Sequence, residues 1–403
     1  MRLTYRFFAS CLALYVAMLL LTACTSPPKY MIAPPDPVKA KIKIATQWVA
    51  QVGEKNHHQQ SQLPVKVVGN KIYVANAEGH VGAMDLVSGD VLWQIDTDER
   101  IAAGPGYGDG IVVVANDKAE IIALADGSGE PLWRQKVSSE VLAEPIVYRD
   151  KIFVQTVDGK IFALAKDSGN KLWVDGRESP ALTLRGSSRP RIVKDKLLVG
   201  FATGELVAYN IESGKVIWEV AIAVPSGRTD LERIADIDGL IAVNENTVYV
   251  ASYQGRIAAV SLDEGRLVWS RDMSSYTGVA ADDKQIYVTD EQGFVWGLDI
   301  NSGATLWRQE KLADRYLVTP ASVDNSIVVA DVGGFVYWLS KEDGDILAQL
   351  DLYRTNLAAF YHWDDGPLEE KDYGVSTYLS VADNRQVLVR NNEGTLALFR
   401  IIE

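Results

Sequence analysis

A repeat of about 40 residues constrains the fold of this 403-residue chain more than any other feature. Segments of constant internal length run from a glycine to a tryptophan, as in Gly79–Trp93 (GHVGAMDLVSGDVLW), Gly159–Trp173 (GKIFALAKDSGNKLW) and Gly204–Trp218 (GELVAYNIESGKVIW). Successive tryptophans of the repeat, from Trp93 to Trp307, are separated by 40, 40, 45, 51 and 38 residues. A period near 40 residues with strand patterning is typical of a β-propeller, in which each repeat forms one four-stranded blade.

The interior of each repeat predicts strands and hairpin turns. In the repeat that spans residues 144–175, the runs Ile152–Thr156 and Ile161–Leu164 are rich in β-branched and aromatic residues, and they are bounded by Asp158-Gly159 and Ser168-Gly169. Such runs form strands, and glycine supplies the positive φ that tight hairpin turns require. No stretch of the repeats has the pattern of an amphipathic helix. The sequence therefore predicts an all-β fold.

The two ends of the repeat region predict how the ring closes. An eighth glycine position occurs at Gly394, in a repeat that ends after its third strand. The missing outer strand is expected at the other end, where Trp48 precedes Trp93 by 45 residues. If the N-terminal strand pairs with the C-terminal blade, no sheet edge is left open between them. We expect residues 44–403 to form an eight-bladed β-propeller of four-stranded antiparallel blades.

The repeated tryptophans admit two interpretations, an aromatic binding surface and a structural role. A residue that recurs in nearly every repeat is expected to have a role that all repeats share. Packing against the neighbouring blades is such a role. We therefore expect the rings to lie between blades. The tryptophans concerned are Trp48, Trp93, Trp133, Trp173, Trp218, Trp269 and Trp307.

The first residues predict an export signal. Arg2 and Arg6 precede an apolar run, Phe7–Leu21, that is shorter than a transmembrane helix normally requires. The run ends in Leu21-Thr22-Ala23-Cys24, which resembles the lipobox of bacterial lipoproteins. The resemblance implies that residues 1–23 are a lipoprotein signal peptide and that Cys24 becomes the first mature residue and carries lipid, palmitate included. An ordinary signal peptide with an incidental cysteine is the alternative.

Residues 24–43 are expected to tether the propeller to the membrane. Five prolines in this segment favour an extended chain. Thr25, rather than Asp, follows the cysteine, and the lipobox resemblance then implies sorting to the outer membrane. The signal peptide carries two arginines and no acid, so its removal changes the net charge from −13 to −15. Anionic lipid headgroups would repel a mature protein with this negative charge. We therefore expect membrane binding through the lipid anchor alone.

Composition excludes several other functions. A predicted pI near 4.9 argues against nucleic acid as a partner, because binding a polyanion needs a basic surface. The two cysteines, Cys11 and Cys24, precede the repeats, so the repeats contain no cysteine zinc site and no thiol nucleophile. Only four histidines occur in the whole chain. We expect no catalytic residues, no metal site and no cofactor.

The tryptophan repeat resembles the quinoprotein-like propellers, which include PQQ-dependent alcohol dehydrogenases. That resemblance makes a quinoprotein dehydrogenase the main alternative function. Such enzymes use a bound Ca²⁺, a catalytic aspartate and, in many members, adjacent cysteines beside the quinone. The repeats here lack cysteine and are shorter than those enzymes. An adhesion or signalling propeller of the periplasm is a third possibility.

From signal peptide to closing strand, the chain resembles the BamB family, lipoproteins of the outer-membrane β-barrel assembly machinery. The most diagnostic local matches are residues 182–186 (LTLRG) and 232–238 (ERIADID). The resemblance implies a non-enzymatic scaffold subunit, anchored by lipid to the periplasmic face of the outer membrane. Such a subunit docks on the POTRA domains of BamA, and through BamA on the other subunits of the complex. It assists the assembly and insertion of outer-membrane β-barrel proteins, and their unfolded chains are further candidate partners.

Two long connections contain the candidate partner-binding residues. They fall within the 45-residue and 51-residue steps of the repeat, and extra length in a propeller forms loops on one face. In the first loop, Leu182 and Leu184 lie beside Arg185, which is the composition of an interface anchor. In the second, Asp236 and Asp238 could offer carboxylates to Arg185 or to a basic partner. The alternative is that the leucines begin an inner strand and that the aspartates only shape a turn.

A further insertion, residues 352–373, contains Tyr361, Trp363 and two acidic pairs. The sequence does not distinguish a partner-binding loop from a cap over the ring.

Overall fold

The computed structural model of the protein describes residues 32–53, 63–184, 188–352 and 374–402. Within these residues the chain forms eight sheets, each of four antiparallel strands, and no helix. No helix long and apolar enough to cross a membrane is therefore found in the described ranges. The innermost strands of neighbouring sheets contact each other around the ring. The predicted all-β, eight-bladed propeller is confirmed.

Each blade begins with a strand at the centre of the ring, which has three or four residues in every blade but the second, and ends with a strand at the rim. The first strands are β2 (Lys66–Val68), β6 (Ile101–Gly108), β10 (Ile146–Tyr148), β14 (Arg191–Val193), β18 (Ala242–Asn244), β22 (Val279–Ala281), β26 (Ala321–Val323) and β30 (Ser380–Asp383). The second strands are β3 (Lys71–Ala75), β7 (Ile111–Asn116), β11 (Lys151–Gln155), β15 (Lys196–Gly200), β19 (Thr247–Ala251), β23 (Gln285–Thr289), β27 (Ser326–Ala330) and β31 (Gln386–Arg390). Blades 1 to 8 are numbered in this order.

The third and fourth strands complete the blades. The third strands are β4 (His80–Asp85), β8 (Glu120–Ala125), β12 (Lys160–Ala165), β16 (Glu205–Asn210), β20 (Arg256–Ser261), β24 (Val295–Asp299), β28 (Phe335–Ser340) and β32 (Thr395–Ile401). The fourth strands of blades 1 to 7 are β5 (Val91–Asp96), β9 (Pro131–Lys136), β13 (Lys171–Gly176), β17 (Val216–Ala221), β21 (Leu267–Asp272), β25 (Thr305–Gln309) and β29 (Ile346–Asp351). The fourth strand of blade 8 is β1 (Ile44–Gln51), from the other end of the repeat region.

The pairing of β1 with β32 closes the ring as the sequence predicted. The register runs from Ile44 opposite Ile401 to Gln51 opposite Thr395, with one irregularity between Thr46 and Trp48. The eighth blade is therefore built from both ends of the propeller. Closure satisfies backbone groups of β32 that would otherwise form an open sheet edge.

The hydrophobic core is divided among the blade interfaces. Eight buried clusters are present among the described residues, and each joins two neighbouring blades. The cluster between blades 8 and 1 includes Trp48, Val65 and Leu398. Second and third strands are buried on both faces, whereas fourth strands have exposed positions along their length. Blade packing is thus the principal source of buried apolar surface.

Each repeated tryptophan contacts the next blade in the same way. The indole N–H donates to a backbone carbonyl just after the third strand of that blade, over 2.8 Å for Trp48 and Leu86. A turn glycine of the same blade lies against the ring. At Gly89, where φ is +77°, an added Cβ would lie 2.8 Å from the Trp48 ring. The tryptophan and the Ser-Gly turn of the repeat are therefore two halves of one contact between blades.

The same contact recurs around the ring. The other donor and acceptor pairs are Trp93 with Asp126, Trp133 with Lys166, Trp173 with Ile211, Trp218 with Leu262, Trp269 with Ile300 and Trp307 with Lys341, at 2.5–3.2 Å.

The segment expected to be a tether is already in contact with the propeller at Lys41. The Lys41 backbone N–H donates to the Leu347 carbonyl over 2.7 Å, and its Nζ lies 2.7 Å from Asp345 Oδ2. Ile42 packs against the cluster between blades 7 and 8. Cys24 and the expected signal peptide lie outside the described residues, as do residues 353–373 of the insertion, whereas Leu352 at its start is buried in the cluster between blades 7 and 8.

Candidate partner-binding site

The two long connections lie between successive blades. Residues 177–190 join β13 to β14, and residues 222–241 join β17 to β18. Both lead from the outer strand of one blade to the inner strand of the next, so both lie on the same face of the ring. A hydrogen bond joins them: the Leu184 backbone N–H donates to Asp236 Oδ2 over 2.5 Å. The structure thus brings together two of the predicted site segments that are far apart in the sequence.

The leucines of the first connection are not part of a strand. Leu182 is 43% exposed and Leu184 is half-buried, whereas the inner strand of blade 4 begins only at Arg191. The alternative that these leucines begin an inner strand is therefore wrong. Arg185 lies outside the described residues.

Asp236 is almost fully buried, with 1% of its surface exposed. Its Oδ2 accepts the hydrogen bond from Leu184, while its Oδ1 has no partner among the described residues. The Asp236 backbone carbonyl accepts a hydrogen bond from the Tyr253 N–H over 2.9 Å, which fixes the connection to blade 5. Burial raises the pKa of the Asp236 carboxyl from 3.8 to about 7, although the Leu184 N–H opposes the rise.

Asp238 lies two residues further and has a similar environment. Its Oδ2 is buried and has no hydrogen-bond partner among the described residues. Burial, and then the neighbouring charge of Asp236, raise the pKa of Asp238 well above its ordinary value. Each carboxyl group therefore has a buried acceptor oxygen that no described residue pairs with. A hydrogen-bond donor or a cation brought by a partner would stabilise their charged forms.

The second connection also exposes apolar side chains that the sequence analysis did not select. Val224 is 75% exposed and Leu231 is 62% exposed. Glu232 Oε2 accepts hydrogen bonds from the Arg228 and Thr229 N–H groups, at 2.6 and 3.2 Å, and so fixes the turn that presents Leu231. The length of this repeat step was the only sequence signal for these residues.

A second feature missed by the sequence analysis is a polar cluster in the central channel. Glu144 is buried, and its carboxylate accepts hydrogen bonds from Lys66 Nζ and the Tyr378 hydroxyl, each at 2.7 Å, and pairs with Arg189. Arg189 also lies over the Tyr378 ring, 5.0 Å from its centre. Burial opposes ionisation, but the charges of Arg189 and Lys66 hold the pKa of Glu144 below 4.5. These residues come from four blades, so the cluster connects blades to each other across the centre of the ring.

The described residues contain no group of three or more His, Cys, Asp and Glu side chains that could hold a metal ion.

The fold and these loops define the class first: an eight-bladed β-propeller with long connections on one face. The crystal structure of quinohemoprotein alcohol dehydrogenase from Comamonas testosteroni shares the fold, with a TM-score of 0.67 and 12% identity over 89% of this chain and 76% of that chain. The crystal structure of BamB from Moraxella catarrhalis has a TM-score of 0.75 and 23% identity over 88% of this chain and 100% of that chain.

Sequence comparisons give the family. A family model described as outer membrane protein assembly factor BamB matches residues 77–309. A protein of Pseudomonas aeruginosa with the same name is 46% identical over 82% of this chain and 88% of its own length. The chain belongs to the family of the outer membrane protein assembly factor BamB. The curated members are assembly factors and not enzymes.

Proposed function

We propose that the protein is a scaffold subunit of the outer-membrane β-barrel assembly machinery that docks on the POTRA domains of BamA. In this role it assists the assembly and insertion of outer-membrane β-barrel proteins. Lipid on Cys24 holds it at the periplasmic face of the outer membrane, after removal of the signal peptide 1–23. The names of the curated relatives, which call them outer membrane protein assembly factors, support this role.

One observation carries the docking site: the hydrogen bond between Leu184 and Asp236. It joins connections of two neighbouring blades into one surface, with Leu182 exposed on it. Interface anchors combine apolar side chains with groups that lose water on binding, and these loops contain both. Leu182, Leu184 and Arg185 contact BamA directly in this proposal, and Asp236 and Asp238 lie beside them.

The buried carboxyl groups restrict which side chains a partner can place at these loops. Asp236 and Asp238 each have a buried oxygen without a partner among the described residues, so a partner that opens the loops and reaches them must supply donors. A POTRA surface with a lysine or arginine at this place would meet that requirement. An apolar or acidic surface would offer these carboxyl groups no donor.

Recovery of BamA from detergent extracts tests the proposal. Truncating central anchors typically costs about 2 kcal/mol each, roughly thirtyfold in affinity. The double substitution Leu184→Ala and Arg185→Ala should therefore abolish the co-purification of BamA. Leu132→Ala is the matched control, because Leu132 is 52% exposed but lies on the rim strand β9.

Folding has to be measured on the same samples. Circular dichroism and thermal melting of the double variant should remain near those of the unaltered protein. Normal recovery of BamA with a folded double variant would remove these loops from the interface. Loss of folding would show instead that Leu184 belongs to the core, and Leu182→Ala, at an exposed position, would then decide the docking question.

A further inference from the structure

The centre of the ring contains a cavity of about 530 Å³, and none of the proposed docking residues lines it. Residues from the inner strands of seven blades line it, and its walls are mostly aliphatic, with side chains such as Ile192, Val243 and Val279. Ligand sites in proteins commonly have volumes of about 300–1,000 Å³ and apolar walls with a few polar groups. The cavity has the size and the lining of such a site.

The charges in this cavity are not balanced. Four charged side chains line it among the described residues: Lys66, Arg189 and Arg191 are cations, and Glu144 is the single anion. Glu144 is already occupied, because it pairs with both Lys66 and Arg189 and accepts the Tyr378 hydroxyl. The cavity therefore has two more positive than negative charges, in a protein whose overall charge is −13.

Arg191 carries the unpaired charge. Its Nη1 donates to the Ile241 carbonyl over 2.8 Å, and the described residues offer its guanidinium no carboxylate. The surrounding protein, and then the charge of Arg189, lower the pKa of Arg191. The remaining N–H groups of the guanidinium have no partner among the described residues, and a planar guanidinium binds a carboxylate with two parallel hydrogen bonds. An anion at this place would relieve the repulsion between the two arginines.

We propose that the central cavity binds a small organic carboxylate. The carboxylate pairs with the Arg191 guanidinium, and the apolar part of the ligand lies against the aliphatic walls of the channel. The four-blade cluster around Glu144 holds Arg189 and Lys66 in place and supplies the rest of the positive potential. The ends of both long connections contribute to the walls of this cavity, but none of the five proposed docking residues lines it.

Titration calorimetry with the full chain tests the proposal, with benzoate as the probe. Benzoate should bind saturably, with one molecule per chain. Benzamide has the same shape without the charge, so it should show no binding. Inorganic phosphate, which has the charge without the apolar group, should bind at least tenfold more weakly than benzoate.

Two variants locate the site. A hydrogen bond to a charged group contributes about 1.5–3 kcal/mol, so Arg191→Gln should weaken benzoate binding roughly tenfold or more. Arg256→Gln is the control, because Arg256 is an arginine on the third strand of blade 5, paired with Asp272 outside the cavity. Equal benzoate affinity in Arg191→Gln would overturn the proposal. Equal affinity for benzamide or for phosphate would also overturn it, and those measurements need no variant that must fold.

Discussion

Removal of the Trp48 ring should open the closure between blades 8 and 1. Trp48 lies on β1 and is 9% exposed, within the cluster that also contains Leu398. Its indole N–H donates to the Leu86 carbonyl over 2.8 Å, and the ring covers the turn at Gly89. Trp48→Ala therefore removes the packing of β1 against blade 1, and it leaves a buried carbonyl without its donor.

The expected loss of folding stability in Trp48→Ala has two contributions. Replacing a large buried aromatic side chain by alanine costs about 3–5 kcal/mol. Leaving a buried carbonyl unpaired adds about 1 kcal/mol. The free energy of unfolding should therefore fall by at least about 3 kcal/mol, a large part of the roughly 5–15 kcal/mol that stabilises a typical folded protein.

Denaturant unfolding followed by far-ultraviolet circular dichroism measures this loss without depending on tryptophan fluorescence. Leu92→Ala is the control: Leu92 is 51% exposed on the rim strand β5, where a surface substitution should change stability by about 0.5 kcal/mol or less. If Trp48→Ala loses no more stability than Leu92→Ala, the closure does not stabilise the ring as argued. Deleting residues 44–51 should destabilise the protein further, because it also exposes the edge of β32.

Three further predictions follow from the other contacts and from the N-terminus. Glu144→Gln should lower the free energy of unfolding by about 3 kcal/mol, since it leaves Arg189 and Lys66 without their buried counterion; denaturant unfolding with no loss would contradict this connection across the centre of the ring. The raised pKa of Asp236 means that the folded state holds a proton between about pH 4 and 7, so this group's contribution to stability falls as the pH rises through that window. In melting experiments, the stability of Asp236→Asn relative to the unaltered protein should therefore increase as the pH rises from 4 to 8. A stability difference between the two proteins that stays constant over this range would refute the assignment. Cys24→Ala should release the protein from membranes without changing its melting, and unchanged membrane fractionation after a high-salt wash would count against the lipid anchor.

The architecture could be predicted because its determinants are repeated. The tryptophan and the turn glycine recur at seven of the eight blade interfaces because these interfaces share the same contact, and Trp48 marked the strand that was missing from blade 8. Between blades 7 and 8, Ala348 takes the position of the tryptophan. The closing strand could be predicted because the last repeat has only three strands and an additional tryptophan, Trp48, precedes the first repeat. A contact that neighbouring blades share therefore appears in the sequence as a periodic pattern.

The site could be predicted only in outline because its determinants occur once. The length of two repeat steps indicated the connections around Leu184 and Asp236, but it did not indicate that Asp236 would be buried or that it would bind the Leu184 N–H. The cluster around Glu144 was missed because its members come from four blades and each belongs to a different repeat. Lys66 and Glu144, for example, are 78 residues apart in the sequence.

Site-specific photo-cross-linking in intact membranes tests the docking surface most directly. A photoreactive residue at position 182, which is exposed in the loop, should give a cross-link to BamA that maps to a POTRA domain. The same residue at position 132, equally exposed on the rim, should give none. Cross-links to BamA from position 132 but not from position 182 would contradict the proposed orientation, and no BamA cross-link from position 182 would contradict the docking site itself.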